Sequence, residues 1–233
     1  MGPDWDWQLS VTVYRGKLRE VVAGLFVMLG MVEGRVPETV LRRVRLAVLE
    51  ILRPAESALR RVIVMAALGI VVAASKGRMQ GGKRSAAGKS HSAPERAAVF
   101  ALFDPRIWLG GLRRSRKGRR GPGPRITEIG VDRYVAYVPP PLPLPDDDVD
   151  AASLVRRLKA MRDALDDIPG QAQRLARLIA RRRARSRPGI VRPMRYARPP
   201  GYRARGKRPV DVILAECQYL ALLAMDEAER AAA

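Results

Sequence analysis

This sequence is short of the residues that most enzymes and metal proteins use. It has one cysteine, Cys217, and one histidine, His91. A single cysteine excludes an internal disulfide and any cysteine-based metal site. A single histidine in a polar stretch leaves no His–carboxylate or His–Cys network for acid–base or nucleophilic work. Aromatic residues make up only 5% of the chain. The reading is therefore of a protein that is not an enzyme and needs no cofactor.

Acidic residues are also missing, but only from two tracts. Residues 75–125 carry fourteen basic and two acidic side chains, a balance of +12. Residues 174–208 hold thirteen Arg, one Lys and no acid, a balance of +14. The whole chain of 233 residues carries +21, so everything else sums to −5. Two segments make the whole excess. Such local charge implies a polyanionic partner, either nucleic acid or an anionic membrane surface. Arg outnumbers Lys 37 to 7. GC-rich coding accounts for that ratio, but not for the loss of acids from two tracts.

Long hydrophobic runs are absent too. Val62–Ala74 is thirteen apolar residues and Val21–Val32 is twelve, mostly apolar. Thirteen helical residues span only about 20 Å, against about 30 Å for a bilayer core. The first reading of 62–74 is a buried core helix, and the second is shallow embedding flanked by Arg60, Arg61, Lys76 and Arg78. The N-terminus lacks the basic region of a signal peptide, and Asp6 stands where a myristoylation motif needs Ser or Thr. These features imply a cytoplasmic protein with membrane association as the alternative.

The hydrophobic pattern predicts a mainly α fold. Leu18, Val22, Leu25, Leu29 and Val32 share one face of a helix over 17–33, with Gly34 as its stop. Pro37 suits the first position of a second helix with stripe Val40, Leu41, Val44, Ala47, Val48 and Ile51. Pro54 opens a third stretch reaching Ala74. Together these form an N-terminal three-helix unit in residues 1–74. Residues 75–149 read as a long, flexible, basic Gly/Pro-rich linker. It contains a short strand at Val99–Phe103, a small β-hairpin over Ile126–Ile129 and Arg133–Val138, and a polyproline spacer at Pro139–Pro145. Residues 150–233 hold an αα-hairpin, a basic arm and a C-terminal helix. Leu154, Leu158, Met161, Leu165 and Ile168 line the first hairpin helix, with Asp148 and Asp150 favouring its start. Pro169-Gly170 marks the turn, and Leu175, Leu178 and Ile179 line the second helix. So narrow a stripe needs a partner, either within the chain or as a homo-oligomer or foreign helix. Ile213, Leu214, Cys217, Leu220, Leu223 and Ala224 line the last helix. No internal repeat stands out.

Three motif look-alikes fail on spacing. Gly82-Lys83-Arg84-Ser85-Ala86-Ala87-Gly88-Lys89-Ser90 has five residues between its glycines, where a phosphate loop needs four. Asp146-Asp147-Asp148-Val149-Asp150 has Ala151 and Arg157 where a calcium loop needs Gly and a bidentate acid. Arg205-Gly206-Lys207-Arg208-Pro209 has one residue too many for an AT-hook core. Asp166 and Asp167 are sequence neighbours and do not share a helix face.

The chemistry that remains is cationic. Arg174, Arg177, Arg181 and Arg185, with Arg182 beside them, make one basic helix face suited to phosphate contacts. Tyr196, Tyr202, Arg205, Lys207 and Arg208 in the following arm can stack on bases or meet phosphates. Arg113, Arg114, Arg116, Lys117, Arg119 and Arg120 form a general polyanion tract. The leading expectation is a non-enzymatic helical protein that binds a nucleic-acid backbone with low sequence specificity. A peripheral membrane protein using 21–32 and 62–74 is the alternative, followed by a helical adaptor.

The segments Arg53-Pro54-Ala55-Glu56-Ser57-Ala58-Leu59-Arg60-Arg61, Leu102-Phe103-Asp104-Pro105-Arg106, Arg198-Pro199-Pro200-Gly201-Tyr202 and Lys207-Arg208-Pro209-Val210-Asp211 resemble stretches of uncharacterised alphaproteobacterial proteins. The resemblance implies a bacterial setting, cytoplasmic or close to a membrane. It implies no fold, activity or site.

Overall fold

A computed structural model describes residues 6–31, 35–70, 72, 99–105, 144–183 and 192–231. The first helix, α1 (Trp7–Met28), starts at Asp6, whose carboxylate accepts from the amides of Gln8 and Leu9 at 2.9 Å each. That is an ordinary N-cap, satisfying two otherwise orphan donors. The helix stops earlier than Gly34. Gly30 takes φ +64, and the Met31 amide reaches back to the Phe26 carbonyl at 2.9 Å. A left-handed glycine with this six-to-one bond is a Schellman stop.

The expected second and third helices are one helix, α2 (Arg42–Ala67), with Pro54 inside it. An internal proline removes one backbone bond and costs about 3 kcal/mol. Here Leu52, Ala55, Ala58, Leu59, Val62 and Ile63 around it are fully buried. Burial of that many apolar side chains, at about 1.5–3 kcal/mol for each large one, outweighs the loss. α2 ends at Ala67 rather than Ala74.

Pro37 does not open a helix. Residues Thr39–Leu41 form a short strand, β1, antiparallel to β2 (Asp148–Asp150), with Val40 opposite Val149. The pairing is extended by Arg42 N–H to Asp147 O, Arg43 N–H to Pro145 O and Ala151 N–H to Glu38 O, each at 2.9 Å. The aspartate run thus serves a two-strand ladder as well as the entry to the next helix. The Val99–Phe103 segment belongs to no strand. The expected β-hairpin at 126–138 and the polyproline segment up to residue 143 lie outside the described residues.

α3 (Ala152–Asp166) and α4 (Ile168–Arg183) are separated by Asp167 alone. The Asp167 carboxylate accepts from Gly170 N–H at 3.0 Å, so Pro169 and Gly170 lie in the first turn of α4 rather than in the connection. The two helices do not pack mainly on each other: α3 lies chiefly against α1 and α4 against α2. The partner that the narrow stripe needs is therefore within the chain. Arg15 of α1 fastens the corner by donating to the carbonyls of Leu165 (2.8 Å) and Asp166 (2.9 Å). The last helix, α5 (Pro209–Ala231), also packs on α2. α2 is thus the central rod of a mainly helical fold.

One hydrophobic cluster takes in α1, α2, Phe100, Leu102 and α3 to α5. All five residues expected to line the first hairpin helix are in it, although the fifth, Ile168, opens α4 instead, and Val62, Ile63, Val64 and Met65 are in it too. Cys217 is fully buried there, and burial pushes its thiol pKa up, so it acts as a small apolar side chain. No helix among the described residues is long and apolar enough to cross a membrane.

Candidate nucleic-acid interface

The arm between α4 and α5 is held to the fold by a buried ion pair. Arg61 of α2 and Asp104 are both wholly buried. They meet in a two-pronged bond, Nη1 to Oδ1 at 2.9 Å and Nη2 to Oδ2 at 2.8 Å. Arg61 also donates to Ser57 O (2.9 Å), Ser57 Oγ (2.8 Å) and Gln218 Oε1 (2.7 Å). Buried charges persist only when paired and hydrogen-bonded, and this guanidinium is both. Asp104 Oδ2 further accepts from the Arg195 amide at 3.3 Å, and the Asp104 amide donates to Pro193 O at 3.2 Å. Gln218 of α5 donates to Arg195 O at 2.9 Å. Segment 99–105, α2, α5 and the arm therefore meet at one point.

From there the arm runs back along α2. Gly201 lies against Pro54: a Cβ on it would stand 2.6 Å from the Pro54 nitrogen. The proline has no N–H there, so the approach leaves no buried donor unsatisfied. Tyr202 N–H donates to Pro199 O at 3.1 Å, with Gly201 at φ +84. Proline at the second position and a left-handed glycine at the third define a type II turn. Further on, Glu50 holds Arg203 at 3.3 Å and Arg208 at 2.6 Å. Those two guanidiniums lower the Glu50 pKa. The arm thus passes Arg61, Pro54 and Glu50 in that order, antiparallel to α2 and about 16 Å along it.

Segment 99–105 is gripped by arginines from two helices. Arg60 donates to Ala101 O at 2.8 Å and lies over the Phe100 ring. Its burial lowers its pKa, against the pull of Glu56 and Asp104. Arg174 donates to Phe100 O at 3.1 Å, and Arg182 lies 3.7 Å from the Phe103 ring centroid. Arg157 of α3 does not touch the segment but holds Glu56, which also pairs with Arg60, in a two-pronged bond with both contacts at 2.9 Å.

The sequence-predicted cationic residues therefore divide. Arg174 and Arg182 face segment 99–105 and help to build the fold; partial burial lowers the Arg174 pKa. Arg208 is committed to Glu50. Arg177, Arg181, Arg205 and Lys207 are exposed, as are Tyr196 and Tyr202. Arg177 makes only a long contact, 3.5 Å, to Gln173. Arg185 and the tract Arg113, Arg114, Arg116, Lys117, Arg119 and Arg120 lie outside the described residues. Sequence reading missed Arg61, Asp104, Gln218 and Glu50. For Asp104 a signal was present: one of only two acids in the basic tract 75–125 is a natural partner for a buried cation.

No group of three His, Cys, Asp or Glu among the described residues could hold a metal ion. Family models, curated proteins and solved structures were all compared with the chain, and none matches it.

Proposed function

We propose that the protein binds the phosphate backbone of nucleic acid, without sequence selectivity and without catalysis, through the arm and the end of α4. One observation carries this reading. An acid-free cationic run is fixed along the fold, with Arg198, Arg205 and Lys207 exposed and without an acidic partner among the described residues. Cations presented on a fixed backbone lose less freedom on binding than cations on a free tail. Arg177, Arg181 and Arg183 extend the same charge from α4, whose end borders segment 99–105 just as Pro193 and Arg195 of the arm do. About 16 Å of arm faces about five phosphates of one strand at roughly 3.4 Å each. The apolar run 62–65 is spent in the core, which favours this reading over membrane embedding. In this reading the protein works in the bacterial cytoplasm.

The test is a salt titration of binding to DNA and RNA. Wild type binds at low ionic strength, with log affinity falling linearly against log salt. Changing Arg198, Arg205 and Lys207 to Gln lowers the slope for a single strand by about 2, at about 0.7 for each phosphate no longer neutralised. Absence of binding at low salt overturns the proposal. So does an unchanged slope in the triple variant.

A further inference from the structure

Although the chain has no repeat of domain scale, a five-residue pattern occurs twice in the arm. Arg192-Pro193-Met194-Arg195-Tyr196 and Arg198-Pro199-Pro200-Gly201-Tyr202 share the pattern Arg-Pro-x-x-Tyr, six residues apart. The two copies share burial and ring contact, although Arg192 is also paired with Glu229 at 3.3 Å while Arg198 has no acidic partner among the described residues. Pro193 and Pro199 are buried, while Arg192, Tyr196, Arg198 and Tyr202 are exposed. In each copy the arginine lies over the tyrosine four residues on, at 4.5 Å for Arg192–Tyr196 and 6.0 Å for Arg198–Tyr202. A buried proline thus anchors each unit, and a cation covers part of an aromatic ring held at the surface.

An exposed aromatic ring leaves apolar surface in water, and folding gives only a modest cation–π contact in return. Few rings among the described residues are so placed. The exposed large aromatic residues among those described are Tyr196, Tyr202 and Tyr219, and two of the three are in this arm. The units are also spaced by the rod beneath them. Arg195 docks at the Arg61–Asp104 pair and Gly201 at Pro54. Seven residues of helix separate those points by about 10 Å, or about three base steps of roughly 3.4 Å. An aromatic face accepts any base by stacking, and an adjacent guanidinium meets the phosphate or adds its own planar face. In a duplex the base faces are already stacked on each other and closed to such rings.

Resting on the reading above, we infer that the two Arg-Pro-x-x-Tyr units form a stacking platform for single-stranded nucleic acid, Tyr196 and Tyr202 each taking a base about three steps apart. The partner is an unpaired strand rather than a duplex, and RNA and DNA share the required chemistry.

The test uses the full chain and fluorescence anisotropy. The probes are a short labelled single strand in DNA and RNA form, its duplex, and an abasic strand of equal length. The single strands are expected to bind more tightly than both the duplex and the abasic strand. Tyr196→Leu and Tyr202→Leu should each weaken single-strand binding about tenfold, by a factor that does not change with salt, while leaving duplex binding within about twofold. Tyr→Phe at either position should retain the affinity. Circular dichroism reads the fold of each variant, which exposed side chains should not disturb. Equal binding of the intact and abasic strands, or Leu variants that bind like wild type, overturns the platform. A steep salt dependence in the same data would leave backbone binding standing. Leu variants that weaken duplex and single strand alike also overturn it. No binding to any probe at low salt overturns both readings.

Discussion

The ion pair between Arg61 and Asp104 sets the sharpest test of the fold. Asp104→Ala leaves a guanidinium that is wholly buried without its carboxylate. The acceptors on Ser57 and Gln218 remain, and the Arg195 amide loses a long bond of 3.3 Å. Removing one member of a buried pair costs about 3–5 kcal/mol, and the surviving acceptors put this case near the lower end, about 3. With a urea slope of about 2 kcal/mol per molar, the midpoint falls by about 1.5 M. Because Asp104 also docks segment 99–105, chymotryptic cleavage after Phe103 should speed up well before global unfolding. Replacing both partners, as Arg61→Met with Asp104→Leu, removes the unpaired charge and should recover most of the loss. A midpoint shift below about 0.5 M for Asp104→Ala refutes the argument. So does a double variant no more stable than the single, since the cost would then not lie in an unpaired charge.

Further predictions concern the arm and α1. Gly201→Ala places a Cβ in backbone contact with Arg53 and Pro54 at a φ of +84, so it should destabilise by about 1–3 kcal/mol, read as a lower urea midpoint. Lys207→Ala nearby, on an exposed side chain, should stay within about 0.5 kcal/mol. Partial burial, then the Glu216 carboxylate, pushes the Tyr14 pKa up to about 12 from 10.0. The folded state thus holds this proton longer than the unfolded state, and the associated stability is full below pH 10 and lost as pH rises from 10 to 12. Tyr14→Phe should flatten the stability profile in that window. A tyrosinate absorbance titration that loses no late component in Tyr14→Phe would show the shift to be wrong.

The helices were legible because apolar spacing is a local property. Leu154, Leu158, Met161 and Leu165 recur at spacings of four and three, and all four are buried in α3. What misled was punctuation. Pro37 and Pro54 both have the form of helix starts, yet one precedes a strand and the other lies inside α2. In each case a distant partner decided the outcome. β1 forms because Val149, more than a hundred residues on, pairs with Val40. Pro54 is tolerated because its neighbours are buried and because the arm returns to cover it with Gly201. No window of sequence around either proline contains that information.

The candidate site was harder to read for a related reason: one residue type does three jobs. Arg174 and Arg181 are both predicted as members of one cationic face, seven residues apart. In the structure Arg174 holds the Phe100 carbonyl while Arg181 is exposed. Arg208, three residues from Arg205, is neutralised by Glu50 from the middle of α2. A count of +14 over 174–208 therefore overstates the charge offered to a partner, because part of it holds the fold together. The same division accords with the absence of acids from the arm itself. Its arginines are paired from outside, by Glu50 and Glu229, at the points where the arm must be held. An acid within the arm would lie beside the exposed Arg198, Arg205 and Lys207 and weaken their field at any phosphate. Supplying the fastening charges from α2 and α5 leaves the outer side of the arm free of acids, and under the proposed function that is the arrangement a polyanion requires.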